Sequence, residues 1–509
     1  MKILCLGTNT QDSNDRASVL AKEKFLFNRG LITDQSFVPI YPGVYHTSVC
    51  DLTIGSIIAI SKYFDLVVML DQPRSIWPNS KNLQSTYKLM VELEAQLIAT
   101  QFRSNSNVKP LEKIERMVTD NPSWCIYPWI NVVNQSACGD DSLRLCARSS
   151  TVVAENATLD QWQTSQTRRD IQNKMLQGEK IPESCSVCYN YEKLGIESYR
   201  QFESKDWLNQ LDISDFDQLE KINSPRYYEI SWSNKCNIKC RGCVPSRSSA
   251  IETEFKRHNI TTPWKDSVSD NYPPIEIVDI ENLDQLSRVY VTGGEPLIMP
   301  ETVEFMRRCV AANRTDFELT MSTNGVKVPE EFLTLAKKFT NLNLSLSLDG
   351  FNKINDYWRS GSKWARIVQN MHLFKKQGIL LTINTVPGIY NVTNLHLLFE
   401  WLDQEFPATT VYLQINSLDI QSAYNHPDPA AVLDSMERCK NTQVYWSDGK
   451  SCRTGIDSIY NHYKSNPECN IDNLRGFFQY NDQLDHVRKV LLKDYIPELE
   501  KYRYLIKEN

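Results

Sequence analysis

The chain has 509 residues, too many for one simple core, and its 41% hydrophobic and 23% charged residues are those of an ordinary soluble protein. Its 56 Lys and Arg against 62 Asp and Glu give a formal net charge of -6. No strong positive field therefore exists to collect nucleic acid or an anionic membrane surface.

The sequence gives no sign of secretion or of a membrane span. The apolar run at the N-terminus stops at Gly7, too short for the core of a signal peptide, and the apolar stretch from Gly55 to Leu70 is broken by Lys62 and Asp65. We expect a cytoplasmic protein without a membrane partner. Its 14 cysteines are then poor candidates for a disulfide framework, and several have the spacing of metal ligands.

Residues 1–112 alternate short β runs with helical patterns, which predicts an N-terminal α/β domain of unknown role. The predicted strands are KILCLG and FDLVVMLD, and helices are predicted around Ala17 to Asn28 and from about Asn82 to Phe102. The loop NTQDSNDR follows the first strand. Because the domain has no GxGxxG or P-loop glycine pattern, we interpret this loop as a solvated connection.

Residues 113–222 are rich in Cys, Pro, Asn and Ser, with one helical pattern in TLDQWQTSQTRRDIQNKMLQGEKIP. Their apolar content could hardly form a core, and small modules of this kind usually need a metal. The cysteines of this module are Cys125, Cys138, Cys146, Cys185 and Cys188. Four thiolates can close a 4Fe-4S cluster or bind a zinc ion, and spacing alone does not choose between them.

Residues 223–416 contain six β runs that alternate with helical patterns. The runs are RYYEISWS, SRVYVTGG, FELTMSTNG, LNLSLSLDG, ILLTINTV and TTVYLQIN. Six alternations predict a parallel sheet in an open, partial (β/α)6 barrel, with its chemistry at the strand ends.

Residues 417–509 have helical patterns, notably LDHVRKVLLKDYIPELEKYRYLIK, and predict a helical C-terminal extension. Cys439, Cys452 and Cys469 lie there without short spacing, so we interpret them as structural thiols.

Three cysteines directly follow the first predicted barrel strand. Cys236, Cys240 and Cys243 have the spacing CxxxCxxC, and the next cysteine, Cys309, is far along the chain. Three thiolates on a 4Fe-4S cube leave one iron without a protein ligand. An open coordination position is where a metal site does chemistry.

This loop, followed by GGEP at the end of the second strand, resembles the radical S-adenosylmethionine (radical SAM) enzymes. The resemblance implies that the amino and carboxylate groups of SAM chelate the open iron. One electron from the cluster then cleaves SAM to a 5'-deoxyadenosyl radical, which abstracts a substrate hydrogen. An external one-electron donor such as flavodoxin or ferredoxin is implied, and no catalytic side chain beyond the cluster and SAM.

The resemblance also implies SAM contacts at the strand ends. The segment that corresponds to the binding site of the methionine amino group is Gly293, Gly294, Glu295 and Pro296. Ser347 and Asp349 in SLSLDG match ribose and methionine contacts, and Arg359 is similar to an arginine that pairs with the SAM carboxylate.

Three further contacts are expected, together with one departure from the family pattern. Asn324 lies at the end of the third strand, and Gln414 and Ile415 at the sixth strand end are expected near the adenine. The residue before the third cysteine is usually bulky and packs on the adenine, but here it is Gly242. We therefore expect another side chain, such as Tyr290 or Ile415, to cover that face.

The earlier module resembles the SPASM/twitch auxiliary-cluster domains of radical SAM maturases. The resemblance lies in CIYPW, a helix, a CxxC pair and a following E..G..S.R pattern, formed by Glu192, Gly195, Ser198 and Arg200. It implies a second 4Fe-4S cluster, here in a module that precedes the barrel. The implied ligands are Cys125, Cys146, Cys185 and Cys188, with Cys138 in reserve. A zinc knuckle that only folds the module is the alternative.

Together these patterns predict a radical SAM enzyme that abstracts hydrogen from a peptide or protein. A small molecule or nucleoside is the alternative substrate, and a non-catalytic iron-sulfur or zinc scaffold is the alternative of another class. Four residues near the barrel mouth are candidates for the substrate pocket: Glu229, Ser231, Tyr357 and Trp358.

Overall fold

The structure is a computed structural model of the chain. It describes residues 3–7, 38–41, 44–48, 66–69, 118, 120–134, 142–149, 151–154, 158–193, 198–211, 219, 222, 224–261, 263, 280, 283–407, 409–415, 420–446, 450–465 and 468–506. The chain forms two compact units, Met1–Lys113 and Ile114–Asn509.

The first unit contains a four-stranded sheet. Its strands are β1 (Ile3–Gly7), β2 (Val38–Tyr41), β3 (Val44–Ser48) and β4 (Leu66–Met69), in the order β2-β3-β1-β4. β1 pairs in parallel with β3 and β4, and β2 is antiparallel to β3. The two predicted strands are β1 and β4. The two predicted helices and the NTQDSNDR loop lie outside the described residues.

The second unit is built on a nine-stranded, mostly parallel sheet of order β15-β14-β12-β11-β10-β8-β5-β6-β7. A separate ribbon joins β9 to β13. The strands of this unit are β5 (Asn131–Asn134), β6 (Leu143–Arg144), β7 (Val152–Ala154), β8 (Tyr227–Ile230), β9 (Lys239–Cys240), β10 (Arg288–Val291), β11 (Glu318–Thr323), β12 (Leu342–Ser347), β13 (Arg359–Ser360), β14 (Leu380–Thr385) and β15 (Thr410–Leu413).

Helices cover the faces of this sheet and form the C-terminal region. In chain order they are α1 (Tyr127–Ile130), α2 (Leu159–Thr164), α3 (Gln166–Leu176), α4 (Pro182–Lys193), α5 (Tyr199–Gln210), α6 (Ser249–His258), α7 (Pro300–Ala311), α8 (Glu330–Ala336), α9 (Lys353–Trp358), α10 (Trp364–Lys376), α11 (Leu395–Glu405), α12 (Pro429–Lys440), α13 (Gln443–Trp446), α14 (Lys450–Ser465), α15 (Ile471–Arg488), α16 (Leu492–Tyr495) and α17 (Pro497–Glu500). Among the described residues, no helix combines the length and apolar character that crossing a membrane requires.

The six predicted barrel strands are confirmed as β8, β10, β11, β12, β14 and β15, and each pairs in parallel with the next. Buried and half-buried residues alternate along β10 and β11, which shows how the sheet packs against the helices. In β11, Leu319, Met321 and Thr323 are buried, while Thr320 and Ser322 on the opposite face are half-buried. The helices supply the matching apolar stripe, as α7 does with four buried residues at helical spacing: Thr302, Phe305, Met306 and Cys309. The prediction of an α/β core with a parallel-rich sheet is confirmed.

The cysteine-rich segment joins this sheet, which the sequence pattern did not indicate. β5 pairs in parallel with β8, from Asn131 opposite Tyr227 to Asn134 opposite Ile230. All four residues of β5 are buried, so the strand has no alternation to mark it. The predicted helix of this segment is broken into α2 and α3 at Ser165, whose side chain accepts a hydrogen bond from the Arg168 amide.

The C-terminal region is helical, as predicted, but the long pattern from Leu484 is broken. Helix α15 ends at Lys489, which has a left-handed backbone (φ 55°), and Pro497 begins a separate turn. Cys439 and Cys452 are buried in an apolar cluster with α11 and β15. The Cys469 thiol is half-buried and donates to the Asn425 carbonyl oxygen at 3.1 Å.

Arg288 on β10 is the main polar link between the cysteine-rich segment and the barrel. Its guanidinium forms ion pairs with Glu203 and Asp206 on α5, at 3.0 Å each, and with Glu318 on β11 at 2.8 Å. It also lies 4.8 Å from the centre of the Trp207 ring. Glu203 is buried, and desolvation raises the pKa of its carboxyl group in spite of the arginine.

We expect Arg288→Ala to lower the free energy of unfolding by about 3 kcal/mol or more, because it leaves the Glu203 carboxylate buried without its cation. The pKa of Glu203 in the folded state lies above its unfolded value, so protonation relieves this cost as the pH falls. The difference from wild type, measured by urea unfolding, should be smaller at about pH 5 than at about pH 8.

Arg307→Ala is the matched control. Arg307 pairs with Glu304 and Glu331 at 2.8 and 2.5 Å, but all three side chains are exposed. We expect little change in stability. Equal losses in the two variants would contradict the role given to Arg288.

Candidate cofactor and metal sites

A cavity of about 280 Å³ lies at the carboxyl ends of the parallel strands. The structure brings to its wall ten of the residues predicted to bind the cluster or SAM: Cys236, Cys240, Cys243, Gly293, Gly294, Glu295, Asn324, Ser347, Asp349 and Arg359. Because the carboxyl ends of parallel strands meet at one edge, segments distant in sequence share this cavity.

The three loop cysteines present sulfur atoms to the cavity without a neighbouring charge that would fully stabilise a thiolate. Burial raises the pKa of the Cys240 thiol to about 11 and also raises the pKa of Cys236 and Cys243. An Arg359 nitrogen lies 3.7 Å from the Cys240 sulfur and opposes this shift. Three cysteines that line one cavity supply the donor set of an iron-sulfur cluster, and a bound metal centre would stabilise their thiolates.

The GGEP turn is locked to the segment that precedes Cys236. The Gly294 amide donates to the Ser233 carbonyl oxygen at 3.0 Å, and the Glu295 amide to that of Lys235 at 2.8 Å. Gly293 has φ +117°, and a Cβ on Gly294 would lie far inside the contact distance of the Lys235 carbonyl oxygen. Only glycine allows this approach. The two motifs therefore form one backbone unit.

Glu295 is fully buried, and its carboxylate is occupied by the protein itself. It accepts hydrogen bonds from the Thr323 hydroxyl at 2.6 Å, the Asn324 amide at 2.7 Å and the Leu297 amide at 3.1 Å. Burial nevertheless raises the pKa of Glu295 to about 7. The structure thus shows Glu295 fixing the turn. Pro296 is buried in the short 3-10 helix that Glu295 caps, and it does not line the cavity.

Asp349 and Arg359, predicted as separate SAM contacts, form an ion pair of 2.7 Å with each other. Asp349 also accepts from the Val386 amide at 2.8 Å. The Arg359 Nε is buried and has no hydrogen-bond acceptor among the residues that the structure describes. A buried donor without an acceptor is costly, so this guanidinium suits an anionic group of a ligand.

The face beside Gly242 is filled by two residues that lie far away in the sequence. A Cβ on Gly242 would lie 3.0 Å from the Gln421 side-chain oxygen and 3.4 Å from the Trp358 indole nitrogen. Both side chains line the cavity. The expectation that Tyr290 or Ile415 covers this face is not met, since neither lines the cavity.

The sixth strand end also lies away from this cavity. The Gln414 amide donates to the Thr385 carbonyl oxygen, and its side chain is exposed. Ile415 packs in the apolar cluster formed by α11, α12 and α14, close to Gly455. Tyr290 donates instead to the Ser322 hydroxyl at 3.1 Å. The structure therefore places Gln414 and Ile415 outside the first cavity, whereas Trp358 and Gln421 line it.

The four predicted auxiliary cysteines line one second cavity of about 50 Å³: Cys125, Cys146, Cys185 and Cys188. Burial raises the pKa of Cys125 and of Cys185 to about 12, and it raises that of Cys146 as well. Four cysteines that line one cavity could supply the four thiolates of a closed metal site. The reserve ligand Cys138 lies outside the described residues.

The E..G..S.R pattern supports the loop that carries Cys125. Arg200 forms a buried ion pair with Glu192 at 2.8 Å and donates to the Trp124 carbonyl oxygen at 2.6 Å. Ser198 donates to the same carboxylate at 2.6 Å. Gly195 lies outside the described residues. In the part of the chain that the structure describes, no three His, Cys, Asp or Glu side chains are arranged as they stand to hold a metal ion.

Among the candidates for the substrate pocket, Glu229 and Tyr357 are hydrogen-bonded to neighbouring side chains, whereas the Ser231 hydroxyl is buried without a hydrogen-bond partner among the described residues. Glu229 accepts from the Asn131 amide group at 2.9 Å, and that same group donates to the Leu145 carbonyl oxygen, next to Cys146. Burial raises the pKa of Glu229 to about 7. The Ser231 hydroxyl lies buried beneath Gly293. Trp358 is the member of this group that lines the first cavity.

Tyr357, the fourth candidate, belongs to a buried polar network, and its hydroxyl donates to the Asp485 carboxylate at 2.9 Å.

Gln421 lines the first cavity but was not predicted from the sequence. It lies about 180 residues from the cysteine loop and follows no strand-end pattern, so no local signal marks it.

Residues 230–402 match the family model described as the Radical SAM superfamily. The chain is similar to the GTP 3',8-cyclase of Petrotoga mobilis, 27% identical over 126 residues, which cover 25% of this chain and 35% of that protein. It is also similar to the GTP 3',8-cyclase of Nostoc punctiforme (22% over 210 residues, 39% and 60% covered) and the Fe-coproporphyrin III synthase of Methanosarcina barkeri (25% over 186 residues, 35% and 41% covered). The chain thus spans about a third to three fifths of these relatives.

Among solved structures, the chain is similar to native anSMEcpe with bound AdoMet, with 16% identity, 42% of this chain and 59% of that chain covered, and a TM-score of 0.30. It is also similar to Streptococcus suis SuiB bound to S-adenosylmethionine, with 15% identity, 50% and 58% covered, and a TM-score of 0.29.

We expect Gly294→Ala to disorder the GGEP turn and the cysteine loop, which line the first cavity. The added Cβ would collide with the backbone just before Cys236. The variant should unfold at a lower temperature than wild type and take up less iron during anaerobic reconstitution. Thermal unfolding and iron content of the purified protein measure the two effects.

Gly476→Ala in α15 is the control, since its Cβ would meet only a flexible methyl group of Ile420 at 3.3 Å and alanine favours a helix. If Gly294→Ala matched this control in both measurements, the close backbone approach would not matter.

Proposed function

Since residues 230–402 belong to the radical SAM superfamily, we propose that the chain is an enzyme that cleaves SAM reductively at a 4Fe-4S cluster and abstracts hydrogen from a substrate. The observation that carries the proposal is the single cavity shared by the cysteine loop, the GGEP turn and the ends of β11 and β12. When bound, the cluster and SAM would supply an electron and the hydrogen-abstracting group. The protein's residues bind, orient and shield them.

The roles in the first cavity follow from the contacts described above. Cys236, Cys240 and Cys243 would ligate three irons of the cluster. Arg359 has a buried donor to offer the SAM carboxylate, and the GGEP backbone, which lines the same cavity, would bind the methionine amino group. Arg359 would then bind two carboxylates, that of SAM and that of Asp349.

Trp358 and Gln421 would cover the adenine in place of the bulky residue that Gly242 lacks. The Trp358 indole is held in position by neighbours on both sides: the glycine at 388 leaves room for its outer edge, and the Tyr390 ring lies 5.0 Å away. A fixed indole offers a flat apolar face to a purine, and the Gln421 amide can bond with its edge.

Cys125, Cys146, Cys185 and Cys188 would bind a second 4Fe-4S cluster. Their shared cavity supports a metal there, and zinc remains the alternative. A second cluster would accept an electron from the substrate radical that hydrogen abstraction leaves. The first cluster needs an external one-electron donor, for which flavodoxin or ferredoxin is proposed, and such an enzyme would work in the cytoplasm.

For the substrate we propose a peptide or protein. Thr292 and Ser322 line the first cavity beside the residues expected to bind SAM, and hydroxyl groups suit the amide groups of a peptide. A small molecule is the second candidate, favoured by the relatives named GTP 3',8-cyclases. GTP that increases release of 5'-deoxyadenosine above the level with SAM alone would favour it.

The cysteine variants test the core of the proposal. After anaerobic reconstitution and chemical reduction, the wild type should release 5'-deoxyadenosine from SAM and hold about eight irons if both sites bind 4Fe-4S. Alanine at Cys236, Cys240 or Cys243 should abolish the release and leave the absorption of the second cluster. Product release is measured by chromatography and metals by elemental analysis.

Cys469→Ala is the control for thiol loss, and it should release 5'-deoxyadenosine like wild type. The Cys185→Ala/Cys188→Ala double variant should lose about half of the iron and still cleave SAM. Loss of zinc instead of iron would establish the zinc knuckle. A wild-type protein that loads no iron and never cleaves SAM would refute the enzyme and support the scaffold.

Removal of the indole should weaken SAM binding. We expect Trp358→Ala to raise the Kd for SAM about ten- to hundredfold, the range expected for a lost stacking contact with a base, and Trp358→Phe to recover part of it. Equilibrium dialysis with labelled SAM measures the change in reconstituted protein. Trp446→Ala, which removes an exposed indole outside the cavity, is the control. Equal Kd values for Trp358→Ala and wild type would rule out the adenine contact.

A further inference from the structure

Arg241 lies inside the cysteine loop, between Cys240 and Cys243, and its side chain is completely buried. It points away from solvent into helix α15 of the C-terminal region. Its guanidinium donates to the Asn481 amide oxygen at 2.8 Å and to the Asp485 carboxylate at 2.6 Å. Its Nε donates to the Tyr357 carbonyl oxygen at 2.9 Å. All three of its nitrogens are therefore used.

The backbone of Arg241 is held as firmly as its side chain. Its amide donates to the Trp358 carbonyl oxygen at 2.8 Å. Its own carbonyl oxygen accepts from the Gln421 side chain at 3.1 Å and from the Tyr480 hydroxyl at 3.3 Å. Tyr480 belongs to α15, so the helix contacts both ends of this residue.

A second set of ion pairs also joins α15 to the cysteine loop. Arg488 at the end of α15 pairs with Glu254 on α6 at 2.6 Å, and the other oxygen of Glu254 pairs with Lys239, the residue before Cys240, at 2.6 Å. The side chains of Arg488 and Glu254 are almost fully buried. The loop is thus tied to α15 on both sides of Cys240.

We propose that helix α15 is part of the cluster site, with Arg241, Asn481 and Asp485 as positioning residues that hold the loop in its cluster-binding form. This inference rests on the proposed function. A free loop would lose conformational entropy on binding a cluster, whereas a loop already fixed has lost it on folding. Residues that support metal ligands in this way typically change metal affinity about ten- to hundredfold when mutated.

A merely structural reading of the same contacts is that the ion pair only fastens α15 to the fold. Removing one partner would then lower overall stability and leave the loop ordered once the protein is folded. The two readings differ in the metal-free protein, where the order of residues 236–243 can be measured directly. They also differ in how long the loop retains iron.

The experiment compares Asp485→Asn with Asp482→Asn, one turn earlier on the same helix. Asp482 pairs with Arg503 at 2.8 Å, is about half exposed and does not contact the loop. Hydrogen exchange of the metal-free protein should become faster across residues 236–243 in Asp485→Asn and stay unchanged in Asp482→Asn. After reconstitution, only Asp485→Asn should lose iron from the loop about tenfold faster or more.

A double variant covers the case in which Asp485→Asn fails to fold. Arg241→Met/Asp485→Leu removes both charges at similar volume, which is often neutral for stability. A folded double variant with a rapidly exchanging loop supports the proposal. A folded double variant whose loop exchange and iron retention equal those of wild type overturns it, as would an equal result for Asp485→Asn.

The electron paramagnetic resonance signal that changes on addition of SAM identifies the loop cluster and separates its loss from that of the second site. A different result is that wild type takes up no iron while hydrogen exchange still distinguishes Asp485→Asn from Asp482→Asn. In that case α15 does hold the loop in place, and the assignment of an iron-sulfur cluster fails. The two failures are therefore distinguishable.

Discussion

Parallel pairing of β8, β10, β11, β12 and β14 brings the carboxyl ends of these strands to one edge of the sheet, and the first cavity depends on this convergence. The first four of these strands each deliver a short polar segment to that edge, and β14 delivers Val386. The close approach of GGEP to the backbone before Cys236 then makes two of these segments a single unit. A side chain at Gly294 or a shift in strand register would separate them.

The polar groups of the first cavity divide into two sets. Arg359 keeps a buried nitrogen without an acceptor among the described residues, and such a donor lowers stability unless a ligand completes its interactions. Burial favours the neutral form of the loop thiols, which costs little stability and leaves their sulfur atoms available to a metal. By contrast, Glu295 and Asp349 are completed by protein donors. The first set suits ligand binding, and the second keeps the turns in place.

The sequence predicted what depends on local pattern. Six β runs alternated with helical patterns, and the cysteines and GGEP follow strand ends. The cavity that they share could therefore be predicted from the order of the motifs alone. Strand β5 escaped because it lies before the regular alternation of strands and helices, in a segment rich in Cys, Pro, Asn and Ser. The strand β8 is equally short and equally buried, but it begins that alternation. The contacts of Arg241 with Asp485 and of Gly242 with Gln421 join positions about 180 to 240 residues apart, and no local pattern encodes them. Ile415 was placed by its strand end, but its apolar side chain is drawn into a core on another side.

The in-register pairing of β5 with β8 also determines where two of the cysteine segments lie. The loop with Cys236 follows the carboxyl end of β8, whereas β6 runs antiparallel to β5 and leads to Cys146 near Asn131, at the amino end of β5. The length of a hydrogen-bonded ladder therefore lies between the loop and Cys146. Because tunnelling rates fall steeply with distance, a ladder of this kind would keep that distance constant for any electron exchanged between metal centres bound at the two sites.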